Sequence, residues 1–358
     1  MPGSYEWSSR PTLVTGGASF IGSALVDELV ARGAAVRVVD DLSSGKLENI
    51  QRHVDEGAVE FLNDDLRESG AAKRAVEGMS VVFHLAADHG GRGYVDLNQA
   101  ACASNLALDG NVFLACRAAG VDKIVYASSG CVYPNFAQAD PTQEIYLHEE
   151  LADEPPFDAD NMYGYAKLMA ELSLKAYARE WGLKSASCRY FTVYGERAKE
   201  DHAVTAMIAR AFIDQNPFLV WGNGEQVRNW TYVGDIVGGT ILAAERIDDA
   251  TAVNLGTKER TRVVDAVREV LRYTGKKLEI RFQRDMPTGP MNRVADNTRA
   301  RELLGWEPKV AFVDGLHRTI DWYFEQKDPD EVRDLLEGGG LIERKLAAAA
   351  PPRVGLAS

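Results

Sequence analysis

Thr15-Gly16-Gly17-Ala18-Ser19-Phe20-Ile21-Gly22 lies between an apolar run ending at Val14 and an amphipathic run beginning at Ile21. A buried strand passes here into a helix within a few residues, with glycine at both ends of the turn. Gly16 permits the tight turn, and Gly22 lets the helix pack closely on the strand. Ser19, Phe20 and Ile21 open the helix, whose free N–H groups and positive dipole end suit a pyrophosphate. Ser19 stands where a middle glycine would, which narrows that space. The turn is a dinucleotide signal only in context, and the context is present. Asp40 ends a second strand about 24 residues after Gly16, where a carboxylate accepts hydrogen bonds from adenosine ribose hydroxyls. Asp41 follows, and two acids with no adjacent Arg disfavour a 2′-phosphate, so the pattern favours NAD over NADP. Asp65 and Leu66 close a third strand, where a carboxylate can meet the adenine amino group. Leu85, Ala86 and Ala87 close a fourth, with side chains small enough for close backbone approach to the cofactor.

Strands are expected at 12–14, 35–39, 59–62, 81–85 and 123–127, alternating with helices at 21–32, 68–78 and 98–119. This alternation predicts an α/β fold, a doubly wound parallel sheet with helices on both faces. After about residue 190, Pro217, Gly222 and Gly224 punctuate shorter segments. Helices follow at 203–214, 234–246, 262–274, 298–304 and 313–326, which predicts a smaller C-terminal α/β lobe. The expected division is a flexible N-terminus at 1–10, a dinucleotide domain at 11–190, a substrate lobe at 191–330 with elements free to interleave, and a disordered tail at 338–358. At roughly 150 residues per domain, 358 residues allow these two lobes. Acids outnumber bases 53 to 40, giving a formal charge of −13. That argues against nucleic acid or an anionic membrane surface as partner. No apolar run reaches the ~18 residues a membrane span needs, and the polar N-terminus carries no secretory h-region. Cys102, Cys116, Cys131 and Cys188 are scattered and read as reduced thiols of a cytoplasmic enzyme, with no metal site.

Tyr163-Gly164-Tyr165-Ala166-Lys167 places a tyrosine and a lysine one helical turn apart, on one face. Lys167 can lower the phenol pKa and hold the nicotinamide ribose, and Tyr163, beside that cofactor and near ionisation, can remove a hydroxyl proton during hydride transfer. Ser129 lies just past the fifth strand, at the edge where open α/β sheets bind ligands, and can share that proton.

Together, Thr15 to Gly22, Asp40, Ser129 and the Tyr163/Lys167 pair resemble the extended short-chain dehydrogenases/reductases, and among them the nucleotide-sugar epimerases and dehydratases. The resemblance covers roughly residues 11–326 and implies a Rossmann-type domain, bound NAD, a nucleotide-diphosphate sugar substrate and a homodimer, paired through helices at about 98–119 and 163–182. Residues 189–195, Arg-Tyr-Phe-Thr-Val-Tyr-Gly, resemble the family's R-Y-F-N-V-Y-G, with Thr192 in place of a substrate-contacting asparagine. Trp221 to Asp235 resembles its W-G-D-G-x-x-x-R-x-x-x-Y-V-x-D. By that likeness Arg228 grips the diphosphate, and Arg293 is the second arginine of the clamp.

Residue chemistry then separates the members. The 4,6-dehydratases carry Asp-Glu directly after the Ser/Thr, where this chain has Gly130 and Cys131. Simple 4-epimerases need only Tyr, Ser and a rotating 4-keto sugar. Ser128 to Pro134 resembles the S-S-x-C-[IV]-Y-P of GDP-mannose 3,5-epimerases. Ala86 to Tyr94 resembles their A-A-D-x-G-G-x-G loop, which implies substrate contacts from Gly90, Gly91 and Arg92. In those enzymes a cysteine and a lysine exchange protons beside a C4 ketone. Cys131 matches the cysteine, and the lysine's place falls on His202, a residue suited to proton transfer near neutral pH. Lys199 nearby is the other candidate. The competing readings are a small packing residue for Cys131 and a solvated loop residue for His202. The expectation is an epimerase exchanging protons at C3 and/or C5. The alternatives are a UDP- or TDP-hexose 4-epimerase, a 4,6-dehydratase and a non-catalytic NAD-binding protein.

Overall fold

Seven short runs form one parallel sheet in the computed structural model, which describes residues 5–140, 143–286 and 288–337. The strands are β1 (Thr12–Thr15), β2 (Val36–Val39), β3 (Val59–Leu62), β4 (Val81–His84), β5 (Lys123–Ser129), β6 (Lys184–Tyr190) and β7 (Asp249–Leu255), in the order β7-β6-β5-β4-β1-β2-β3. Every neighbouring pair is parallel. β1 and β4 are buried at every residue, as a sheet covered on both faces requires. The chain leaves β1 toward β2 and β3, then returns to place β4 on the other side of β1. Connections therefore diverge between β1 and β4, and a crevice opens at their carboxyl ends. This is the doubly wound Rossmann-type sheet read from the sequence.

Two strands lie beyond that reading. β6 buries Ser185, Ser187 and Arg189 completely, so it lacks the apolar run that marks the others. Arg189 is tolerated because Glu171 takes it at 2.7 Å and Asp153 at 2.9 Å; a buried charge needs such partners. β7 and the preceding helix Val233–Arg246 return to the sheet from within the 191–330 stretch. Ile236, Val237 and Ile241 share a core with Leu25 and Leu29 of helix Phe20–Ala31.

The remaining C-terminal elements form the smaller lobe. Phe218–Trp221 pairs in parallel with Ile280–Gln283. Helices Ala203–Phe212, Val263–Thr274 and Phe312–Gln326 pack around Phe218, Trp230, Leu316 and Tyr323.

Residues 5–10 are tied down where flexibility is expected. Trp7 is 4% exposed, stacks on Phe83 at 5.8 Å and donates Nε1–H to Glu245 at 3.0 Å. Burying an aromatic ring of this size outweighs the freedom of a few terminal residues. The tail expected at 338–358 lies outside the described residues.

Candidate active site

The dinucleotide turn is built backbone against backbone. Gly16 has φ +68°, and a Cβ there would lie 2.9 Å from the Ala86 nitrogen. A Cβ on Gly22 would lie 2.1 Å from the Gly16 carbonyl oxygen. Ser19, in the middle-glycine position, donates Oγ–H to the Gly16 carbonyl at 2.6 Å. Its hydroxyl is thus spent on the turn itself.

Asp40 is 7% exposed. Its Oδ2 accepts Ala18 N–H at 3.0 Å and its Oδ1 accepts Leu42 N–H at 2.9 Å. Burial raises its pKa, and these two N–H groups only partly oppose that. Each oxygen keeps a lone pair suited to a ribose hydroxyl, and the cradle fits NAD, but Asp40 itself does not line the cleft because Gly45 lies over both of its oxygens.

Asp65 is drawn aside. Arg67 holds it through Nε at 2.9 Å and Nη2 at 2.7 Å, and the same Nη2 lies 3.6 Å from Asp41. An arginine does stand near the acid pair in space, then, with its charge met by Asp65 and Asp41. Leu66 is 4% exposed and packs in the core with Val39, Val82 and Phe113. It does not line the cleft, and neither does Ala86, whose backbone backs Gly16, while its neighbours Leu85 and Ala87 do.

A cleft of about 780 Å³ opens beside this turn, between sheet and lobe. Ser19, Phe20, Ile21, Gly22, Gly90, Gly91, Arg92, Ser129, Cys131, Tyr163, Lys167, Thr192, His202, Arg228 and Arg293 all line it. Tyr163 and Lys167 sit one turn apart in the first turns of helix Asn161–Trp181. Lys167 is 2% exposed, donates Nζ–H to the Ala127 carbonyl at 2.8 Å, and lies 5.8 Å from the Tyr163 ring. Ser129 stands near the Tyr163 phenol and lowers its pKa, and its Oγ accepts Cys131 N–H at 3.1 Å. Burial, then Cys131, push the Tyr163 pKa well above the ordinary value of 10.0, with Ser129 opposing. Burial lowers that of Lys167.

Two histidines face each other near Tyr163. The His89 ring lies 6.4 Å from the Tyr163 ring and 6.2 Å from that of His202. The contact is possible because Gly91 passes the Asp201 carbonyl so closely that a Cβ would lie 2.2 Å from it. The His89 ring is open to the cleft while protein surrounds that space. This enclosure, followed by the charges of His202 and Lys167, lowers its pKa to about 4. His202 shifts downward too, by burial. Lys199 lines the same wall.

Three guanidiniums gather opposite. Arg228 donates to the Val227 and Pro290 carbonyls at 2.8 Å and to Thr288 at 2.7 Å. Burial, then Arg293 and Arg92, lower its pKa to about 9. A site that crowds cations in this way is suited to a diphosphate. Asp160 holds two of them, Arg92 through Nη1 at 2.8 Å and Arg293 through Nη2 at 2.8 Å. Burial pushes the Asp160 carboxyl up, but Arg293 and Arg92 more than offset it, and its pKa is lowered. Arg293, the expected second arm of the diphosphate clamp, lines the same cleft beside Arg228. Its other donors go to Gln138 at 2.8 Å and to Cys131 Sγ at 3.3 Å.

Asp160 escaped the sequence reading, although an acid directly before a helix is a common cap and this one precedes the Tyr163 helix. A buried group of His84, Asp109 and Tyr126 behind Lys167 also escaped it, and no local pattern marks these three.

The model of the NAD dependent epimerase/dehydratase family matches residues 12–256. GDP-mannose 3,5-epimerase 1 of Oryza sativa subsp. japonica is 29% identical over 347 residues, covering 96% of this chain and 89% of that protein. The structure of a UDP-glucose 4-epimerase with UDP-glucose from Thermotoga maritima superposes with a TM-score of 0.78 at 31% identity, covering 88% of this chain and 99% of that one. That of a Thermus thermophilus UDP-glucose 4-epimerase complex with NAD gives 0.77 at 30%, covering 89% and 100%.

Proposed function

This chain belongs to the NAD-dependent epimerase/dehydratase family of enzymes, and from that premise we propose that it is a nucleotide-sugar epimerase working through a transient 4-keto sugar, with proton exchange at C3 and/or C5. The observation that carries this reading is that Cys131 and His202 line the same cleft as Tyr163 and Ser129. A plain 4-epimerase uses only the second pair.

The turn from Gly16 to Gly22, with the Asp40 carboxylate, would hold NAD, which when bound would supply reversible oxidation at the sugar's C4. Tyr163 takes the C4 hydroxyl proton and later returns it, and Ser129 positions that oxygen. The positive charge of Lys167 favours the tyrosinate, which burial and the neighbouring Cys131 oppose. Arg228 and Arg293 hold the diphosphate with Arg92 beside them, and Gly90, Gly91 and Thr192 border the sugar. A C4 ketone makes the C–H bonds at C3 and C5 acidic. Cys131, oriented by Arg293, and His202 remove and return protons there.

The likeness to GDP-mannose 3,5-epimerase over nearly the whole chain supports a GDP-hexose substrate. The UDP-glucose 4-epimerase structures favour a second reading, a 4-epimerase of a UDP- or TDP-hexose. Deuterium wash-in separates the two. The protein is incubated in D₂O with GDP-mannose and with UDP- and TDP-hexoses, and the sugar nucleotides are weighed. Two deuterons are expected for exchange at both carbons and one for exchange at a single carbon. A changed sugar without deuterium establishes the 4-epimerase instead. Tight NAD binding with no turnover of any sugar nucleotide would overturn both in favour of a non-catalytic protein.

A further inference from the structure

Asp109 is 3% exposed. Its Oδ1 lies 3.0 Å from His84 Nε2, and its Oδ2 accepts the Tyr126 hydroxyl at 2.9 Å. Thr15 fixes the proton on His84. Its Oγ1 accepts the N–H groups of Leu85 and Ala86, each at 3.1 Å. Both lone pairs are then in use, so its O–H donates to His84 Nδ1 at 2.7 Å. Nδ1 accepts, and Nε2 carries the proton that it donates to Asp109. The imidazole is neutral in this arrangement, and so is the phenol. The carboxylate therefore keeps a full negative charge with no cation among these hydrogen-bond partners.

A buried carboxylate in that position needs a positive charge nearby. Lys167 supplies one. Its Nζ lies over the face of the Tyr126 ring, 4.6 Å from the centroid, and it is the hydroxyl of that same ring that bonds Asp109. A phenol donating to a carboxylate is polarised, and its electron-rich face attracts the ammonium. Glu171, the other acid near Lys167, is already matched by Arg189 at 3.0 and 2.7 Å and by the Ser128 hydroxyl. Tyr163, Cys131 and, across the cleft, His89 are the remaining titratable neighbours of Lys167.

We propose that Asp109, acting through Tyr126, is the buried counter-charge that keeps Lys167 protonated beneath Tyr163. It is a positioning residue, since it reaches the reaction only through Lys167. The same group of side chains reaches Thr15, the residue before Gly16, and so joins the dinucleotide turn to the catalytic lysine. The proposal rests on Tyr163 and Lys167 being the catalytic pair, and not on which sugar nucleotide is the substrate.

The test follows the Lys167 amine by ¹⁵N NMR in the full-length protein, with the resonance assigned through Lys167→Arg. In Asp109→Asn, which keeps the shape and removes the charge, the amine should lose its proton about tenfold more readily, a drop of about one pH unit in its midpoint. The pH range of activity should lose its alkaline side correspondingly. A folded Asp109→Asn with an unmoved midpoint overturns the proposal. Should that variant fail to fold, Tyr126→Phe, which keeps the ring face and removes the hydroxyl, carries the test with the same two outcomes at smaller size. The midpoint is read without substrate, so absence of turnover leaves this test standing by itself.

Discussion

Arg293 donates Nη1–H to the sulfur of Cys131 at 3.3 Å, while Asp160 and Gln138 hold the other donors of the guanidinium at 2.8 Å. Cys131 is therefore oriented by a fixed cation at the cleft wall. A small packing cysteine would need no such partner. If Cys131 moves a proton at the sugar, Arg293 steadies the sulfur when it carries charge. Cys131→Ala should abolish deuterium exchange at one carbon while Tyr163-dependent oxidation at C4 persists. Arg293→Lys should slow that exchange about 10- to 100-fold, the worth of a charge-assisted hydrogen bond. Isotope content by mass spectrometry reads both. Full exchange in Cys131→Ala would return the residue to a packing role.

Tyr163→Phe removes the phenol and keeps the ring. The rate should fall about 10²- to 10⁴-fold, the usual contribution of a general base. The NAD cradle lies in the Gly16–Gly22 turn and at Asp40, so NAD affinity should change little. Steady-state rates and NAD binding by fluorescence check the two halves separately.

Gly22→Ala drives a Cβ to 2.1 Å from the Gly16 carbonyl oxygen. The neighbour is backbone in the turn, so it cannot swing away as a side chain would. The variant should lose about 1–3 kcal/mol of stability through overpacking and bind NAD weakly. Thermal melts with and without NAD measure this, and a melt equal to that of the parent in both conditions would contradict it.

The first five strands were legible because Val, Ile and Ala runs alternate with helical spacing, and the Gly16 and Gly22 positions follow from the turn between β1 and the first helix. β6 was not, because its buried Ser185, Ser187 and Arg189 look solvated until Glu171 is brought beside Arg189. The site was legible in part. Tyr163 and Lys167 announce themselves by spacing within one helix. Arg293 was legible as a cleft residue, but its contact with Cys131 was not, since the two lie 162 positions apart in the chain. Asp109 and His84 meet across 25 positions, and their pairing exists only once β4 is set against the helix that carries Asp109.

His89 should give a small pH dependence of stability, small because its ring is exposed to the solvent of the cleft. Its pKa is lowered in the folded protein to about 4 from an ordinary 6.5. Below 6.5 the unfolded chain takes up a proton that the folded protein refuses, so unfolding gains ground. Stability contributed by the neutral ring is present above about 6.5 and is lost as pH falls toward 4. His89→Gln should flatten the melting temperature against pH over that window. An unchanged slope would mean that the ring is not enclosed in solution.

Helices Asn105–Ala119 and Asn161–Trp181 leave apolar side chains uncovered on this single chain. Leu106 and Leu114 are 45% and 55% exposed, and Met162, Tyr165 and Met169 are 37%, 39% and 49% exposed. Met162, Tyr165 and Met169 recur at helical spacing and so form one stripe. The two helices are joined by Arg117 stacked 4.1 Å over Trp181. Exposed apolar stripes of this kind mark association surfaces, and two adjacent helices meeting their copies about a twofold axis would cover both at once. A homodimer is the expected state, as the resemblance to the extended dehydrogenases implies. Light scattering after size exclusion should give twice the 39.2 kDa chain mass. Leu106→Glu combined with Met169→Glu should give the monomer with NAD binding intact, because neither residue lines the cleft. A parent protein that is itself monomeric would leave these stripes without the partner argued for them.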